Sequence, residues 1–356
     1  MRWPAPAALI ALLLVAGCGS TAPTGEPVKL TEQPRTIRLG MIGAPAVVDG
    51  DALVHVLYRR DRALVVRRDL GSGAARTLLR RAAEPWSVEE IAARGGRVAV
   101  GTSAPLGHRV AHRVLEASAG GPKVLGRASD SADCGGKVSV HDVTAAKEVL
   151  LSRVRVSCAR GARASLVLRL HGATGARTVL RRRMSPDRAA RLITEPVLDA
   201  GVGGNRTFIA QPDGIELVET TGHRQVMNRP SDGVLAGAEI NDSGDLLFHQ
   251  ASGGRFRTGL VPRGQSEPVE LVDAPLGRPA AVRLCGDLVA RYARRGNGEA
   301  ELSVAPVTDP TRFWPLRAWP ARLADAELIC DQRRAVLIRQ RRASGPSSAE
   351  VVVLPR

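Results

Sequence analysis

Gly71-Ser72-Gly73-Ala74-Ala75-Arg76-Thr77-Leu78-Leu79-Arg80-Arg81 returns, 101 residues later and with seven of its eleven residues identical, as Gly172-Ala173-Thr174-Gly175-Ala176-Arg177-Thr178-Val179-Leu180-Arg181-Arg182. Each copy is a small-residue turn that hands over to an aliphatic strand. Each follows a second aliphatic run, Leu64–Val66 or Leu166–Leu168. Two such runs around a Gly-containing turn read as a β-hairpin. The spacing is about two units of a propeller-sized repeat. Weaker copies continue the series: Gly121–Leu125 after Val114-Leu115, and Gly222–Met227 after Ile215–Val218. These hairpins are expected to join the third and fourth strands of successive blades.

A second marker precedes each hairpin. It is a Gly, Asp or Asn turn before an aliphatic strand, as expected between first and second strands. It occurs at Asp49-Gly50-Asp51, Gly95-Gly96, Gly203-Gly204-Asn205, Asn241–Asp245, Gly286-Asp287 and Asp331-Gln332. Laid out on both markers, the units begin near Pro45, Trp86, Lys137, Pro196, Val234, Pro279 and Pro320. Long helical periodicity is absent, so the class is all-β. The expectation is a seven-bladed β-propeller; the irregular third unit leaves six or eight blades open. The last unit reaches only a third strand, Val351–Leu354, while Thr36–Met41 is an orphan strand at the other end. Pairing the two would close the ring and remove its open edge.

Cys134, Cys158, Cys285 and Cys330 fall within the repeat region. Their even number suggests two disulfides in an exported protein, with three pairings possible. The layout favours Cys285–Cys330, both at the ends of first strands in adjacent blades. It pairs Cys134 with Cys158 in two loops of the third unit, on the opposite face. Scattered cysteines with no Cys-x-x-Cys argue against a metal site.

At the N-terminus, Arg2 precedes the apolar run Ala7–Val15, and Val15-Ala16-Gly17-Cys18 follows the bacterial lipobox pattern. The run is shorter than the roughly 20 residues that span a bilayer. The stretch resembles a bacterial lipoprotein signal. That resemblance implies cleavage before Cys18, acylation of its thiol, and a place on the extracytoplasmic side of the cell membrane. Residues 1–17 are then the signal, 18–35 a lipidated Cys with a Gly, Ser, Thr and Pro-rich tether, and 36–356 the propeller. Ile240-Asn241-Asp242-Ser243-Gly244-Asp245-Leu246-Leu247-Phe248 resembles the Ser-Pro-Asp-Gly turn and following strand of TolB-like and WD40-like repeats, without the Pro and with one residue inserted. That likeness implies a ring with a central channel and loop-built faces used for protein contacts. Some lipoproteins with a similar propeller work beside membrane sensor kinases; no binding residue carries over.

The chain holds 51 Lys+Arg against 35 Asp+Glu, a net charge of +16, and nearly all its cations are Arg. The simpler reading is GC-rich coding plus solubility. The functional one is attraction to anionic lipid or wall polymer. Nucleic acid is not expected, because aromatic residues make up only 3% of the sequence and base stacking needs them.

Motifs for chemistry are sparse. His108 and His112 would hold zinc only on a helix, and this region reads as strand. Asn241, Ser243 and Asp245 alternate like the start of a calcium loop but lack its distal Glu. Gly201-Val202-Gly203-Gly204 precedes no helix, so it cannot present a helix N-terminus to phosphate; it reads as a bend between strands. No Gly-x-Ser-x-Gly elbow occurs. His141 and Asp142 are adjacent, so on a strand they face opposite ways. Glu89, Glu90 and Asp51 are scattered acids. Phe313, Trp314 and Trp319 form the densest aromatic cluster, read first as packing and alternatively as an interface patch. No catalytic residue, metal or cofactor is assigned. Three functions stand: a monomeric non-enzymatic scaffold that binds an envelope protein, a hydrolase or ligand-binding propeller with its site at the channel mouth, and a basic module on anionic lipid or wall polymer.

Overall fold

The computed structural model describes residues 33–355 apart from 41, 60–61, 83–85, 118–120, 131–134, 158–162, 195–198, 212, 229–232, 277–279, 296–298, 320–325 and 341–346. Short aliphatic strands separated by tight turns can bury both faces only by stacking sheet on sheet. They do so as seven four-stranded antiparallel blades. The innermost strands of blades 1 to 7 are Ile42–Asp49, Ser87–Arg94, Gly135–Val143, Asp199–Gly203, Gly233–Ile240, Ala281–Cys285 and Ala326–Cys330. All seven begin close to the expected unit starts. Blade 7 takes its second and third strands from Arg334–Gln340 and Ser347–Val353, and its fourth from Arg35–Gly40 at the start of the chain. Arg35 lies opposite Val351 and Ile37 opposite Ala349, so the ring closes as the orphan strand implied.

The outer strands share a device. In blades 1, 2, 3, 5 and 6 the pairing of third and fourth strands slips by one residue, skipping Leu78, Leu125, Val179, Leu271 and Leu316. In blade 7 it skips Leu39, in the strand donated by the N-terminus. A bulge bends and twists the strand that carries it. Here each bulge turns one aliphatic side chain into the packing between blades. Leu78 and Val179 are equivalent positions of the quoted repeat.

The third unit is irregular for two reasons. Its first turn uses Lys147 at φ 58 in place of the usual Gly, held by Lys147 N–H donating to Thr144 O at 2.8 Å. A helix, Pro186–Thr194, then separates blade 3 from blade 4. Pro186 suits the first helical position, and Ser185 Oγ accepts the Arg188 N–H at 3.3 Å. Ala189 and Leu192 pack the helix into the core shared by both blades.

Candidate functional site

The inner strands present their polar side chains to the next blade, and there they are consumed. Glu90 Oε2 accepts the Val140 N–H of blade 3 at 2.8 Å. Glu239 Oε1 accepts the Leu284 N–H of blade 6 at 2.8 Å. Asp199 Oδ2 accepts from Ala238 of blade 5 at 3.4 Å, and Arg283 Nε donates to Leu328 O of blade 7 at 3.2 Å. Inner-strand edges have unpaired backbone groups, and a buried one costs as much as a lost hydrogen bond. These side chains satisfy them and set the distance between blades.

The first turns form a second layer of stitching. Gly50 N–H donates to Asp331 Oδ2 at 2.7 Å across the closure, and Gly96 N–H to Asp49 Oδ2 at 3.0 Å. Asn241 Nδ2 donates to Gly286 O at 2.8 Å. Over the axis, Arg94 of blade 2 forks onto both carboxylate oxygens of Asp242 in blade 5, with Nη1 to Oδ1 at 2.6 Å. Gln332 of blade 7 donates to the same carboxylate. Blades 2 and 5 are not neighbours, so this pair bridges the channel mouth.

Burial pushes the carboxyls of Glu90 and Glu239 up from their ordinary values. Burial, and then the charges of Asp242 and Asp199, lift Asp142 from 3.8 to about 6 against the opposing Val143 amide and Arg94. His249, stacked on Phe256 at 5.6 Å, is lowered to about 4 by burial and by Arg283.

One constellation escaped the sequence. His141 Nε2 lies 2.7 Å from Ser152 Oγ, and its Nδ1 lies 3.8 Å from Asp199 Oδ1. That is the order of groups in a serine hydrolase triad. Ser152 and Asp199 are 47 positions apart and in different blades, so no local motif marks them. Ser152 is 1% exposed and the His141 side chain 3%, which leaves a substrate carbonyl no approach to the hydroxyl. The set ties blade 3 to blade 4. His141 does not pair with Asp142, as their adjacency implied.

The other predicted residues fall as follows. Cys285 and Cys330 are disulfide-bonded between blades 6 and 7 with Cα atoms 5.4 Å apart. Cys18, Cys134 and Cys158 lie outside the described residues, as does the lipobox. Phe313 and Trp319 are buried in core packing, and Trp314 is part-buried with Arg312 near its ring. His108 sits in a turn and His112 on the strand Arg109–Ala117. The Asn241–Asp245 oxygens are engaged by protein donors: Asp245 Oδ2 accepts Asn241 Nδ2 at 2.8 Å, and Oδ1 accepts the Arg263 N–H at 2.7 Å. Among the described residues no cluster of His, Cys, Asp and Glu has metal-holding geometry.

The Gly201–Gly204 stretch differs from the expected bend. Gly201 and Gly203 belong to the inner strand of blade 4, and only Gly204 enters the turn. A Cβ at Gly203 would meet Asn241 O at 1.8 Å, and one at Gly201 would meet Phe208 and Ile240 at 2.5 and 2.6 Å. These glycines let blades 4 and 5 approach closely, which a single sequence cannot distinguish from a flexible bend.

No protein-family model matches the sequence, and no curated protein matches it. Solved structures do. A prolyl endopeptidase aligns over 88% of this chain at 12% identity and TM-score 0.54. The chain spans 50% of that enzyme's length. The β-propeller domain of the Trilobed protease from Pyrococcus furiosus aligns over 88% of this chain and 94% of its own, at 10% identity and TM-score 0.53. Acylaminoacyl peptidase from Pyrococcus horikoshii aligns over 88% of this chain and 51% of its own, with the same identity and score. The Trilobed propeller is described as having an open velcro topology, whereas here strand Arg35–Gly40 closes the ring. At such low identity the likeness speaks for architecture alone: this is a seven-bladed β-propeller resembling the propeller domains of peptidases.

Proposed function

We propose that the protein is a lipid-anchored β-propeller on the extracytoplasmic side of the cell membrane, binding another envelope protein without catalysing a reaction. Cys18 carries the lipid, residues 18–35 are the tether, and the ring is held clear of the membrane as a monomer. A second disulfide, Cys134–Cys158, would brace blade 3. A membrane sensor kinase is the partner class that the lipoprotein resemblance brings forward. The observation that carries the non-enzymatic reading is the fate of the axial side chains. Glu90, Glu239, Asp199, Arg283 and Arg94 all bond to neighbouring or opposing blades. Groups that hold a ring together in this way are not free to move protons or attack a substrate.

Three measurements test it. A palmitate analogue should label the chain, and Cys18→Ser should abolish the label. Crosslinking in intact cells should recover one envelope protein in near-equal amount; recovery of none would count against the scaffold. A fluorophosphonate should leave Ser152 unlabelled, and labelling there that disappears in Ser152→Ala would make the protein a hydrolase.

A further inference from the structure

At the outer end of the seam between blades 2 and 3 lie two adjoining cavities of about 580 and 670 Å³, the first lined by blade 3 alone and the second by both blades. Arg153 and Arg155 line both, so the two form one cleft. The register explains its walls. Arg153, Val167 and Arg181 are direct partners across three strands of blade 3, and Arg155, Ser165 and Arg183 form the next row on the same face. Alternate residues of a strand share a face about 7 Å apart. Each row therefore has Arg on both sides of a smaller residue, and Val167 and Ser165 make the floor of a trough. Arg163 and Arg169 extend this wall, and Arg109 and Arg127 face it from blade 2.

Among the described residues no carboxylate lines the cleft, and none of these eight arginines has an ion pair. Elsewhere the chain pairs its arginines with care: Arg67 with Asp49, Arg97 with Glu116, and Arg182, on the opposite face of the same outer strand, with Glu216. Like charges this close repel, and no carboxylate among the described residues offsets them. Arg matches phosphate oxygens with paired donors, where Lys would act as a point charge. A concave trough admits a strand-like ligand and excludes a flat bilayer. Among the described residues no Phe, Tyr or Trp lines it and His112 is its one ring, so it lacks a run of stacking platforms for successive nucleobases.

We infer that this cleft binds a linear polyanion with phosphate in every repeat unit, laid along the rows Arg153–Arg181 and Arg155–Arg183. The inference goes beyond the scaffold function and does not depend on it, since binding in the cleft requires neither Cys18 nor a protein partner.

The test uses the full chain and end-labelled inorganic polyphosphate, read by fluorescence anisotropy. If four phosphates are engaged, affinity should fall roughly 50-fold between about 50 and about 200 mM salt, on the slope of single-stranded nucleic acids. Arg153→Gln/Arg155→Gln/Arg181→Gln/Arg183→Gln should weaken binding by at least about 30-fold. The control Arg76→Gln/Arg80→Gln, in the blade 1 copy of the repeat, should stay within about twofold. Thermal melting confirms that each variant is folded; if the quadruple variant is not, Arg153→Gln/Arg181→Gln should still lose about fivefold. Equal losses in cleft and control variants would reduce the effect to net charge and overturn the site. Equal affinity for polyglutamate would overturn the phosphate class. Cleft-dependent binding to phosphatidylglycerol vesicles, with polyphosphate binding untouched, would replace the polymer with a lipid surface.

Discussion

Two seams of one ring are built in opposite ways. Between blades 6 and 7, apolar packing runs out to the rim. Cys285, Tyr292, Leu302, Trp319, Leu328, Leu337 and Val352 share one core, and the disulfide locks it. Tyr292 meets Trp319 edge to face at 5.9 Å, and even rim cations are absorbed, with Arg317 and Arg339 each 5.5 Å from the Trp319 ring. Between blades 2 and 3 the shared core is almost entirely Ala and Val: Ala92, Ala99, Val114, Val138, Val140, Val143, Val149 and Leu151. Small side chains fill the narrow inner part of a wedge but not its wide outer part. Leu125 and Ala128 of the outermost strand of blade 2 pack against that core, and the rest of the outer part is left to arginine. The contrast teaches that a propeller can invest in stability at one seam and leave another free for a ligand, without altering the blade.

Four substitutions probe this contrast, from the largest effect to the smallest. Removing the disulfide with Cys285→Ala/Cys330→Ala should cost roughly 4 kcal/mol, because the bond closes a loop spanning 45 residues of the unfolded chain. Denaturant unfolding would read this, and a loss below about 1 kcal/mol would mean that the seam relies on packing alone. At the inner end of the other seam, Glu90→Ala should cost about 2 kcal/mol, since it strands the Val140 N–H. A silent variant would show that the stitch is dispensable there.

Asp142, on the same inner strand of blade 3, should make stability depend on pH. Its folded value is raised, so the neutral form is favoured by folding. The contribution is whole below the ordinary value of 3.8 and is lost as pH rises to about 6 and beyond. Asp142→Asn should remove that decline and stabilise the protein at neutral pH by on the order of 1–2 kcal/mol, a part-buried carboxyl giving less than its full shift. His249 supplies the opposite slope: its lowered value favours the folded state at neutral pH, and that advantage is lost as pH falls from 6.5 through about 4. NMR titration of both groups separates the two. Smallest of all, Arg153→Gln/Arg155→Gln should change stability by less than about 0.5 kcal/mol, while the same change weakens polyphosphate binding. A large stability loss would make those arginines structural and erase the difference between the seams.

Much of this was legible because it is local. A turn followed by an aliphatic strand has the same meaning wherever it occurs, so the Gly71 and Gly172 copies marked equivalent hairpins. Asp49-Gly50 and Gly286-Asp287 marked equivalent first turns. The third unit resisted because Lys147 occupies a left-handed position that glycine usually fills, and because a helix intervenes. The cleft was harder still. Arg153, Arg155, Arg181 and Arg183 look like scattered basic residues until the register sets them in rows. The serine, histidine and aspartate that tie blade 3 to blade 4 meet only when the two blades are laid together.

The chain order of turns and aliphatic strands thus pointed to seven blades with six or eight left open, to closure by the strand at 36–41 and to Cys285–Cys330 as the favoured pairing, because each follows from counting strands around a circle, and the structure bears all three out. Only the tertiary structure decided which charges are spent and which are left over. A side chain's partner depends on strand register, on bulges that shift it from one face to the other, and on how far each seam opens, and none of these is fixed by neighbours in sequence.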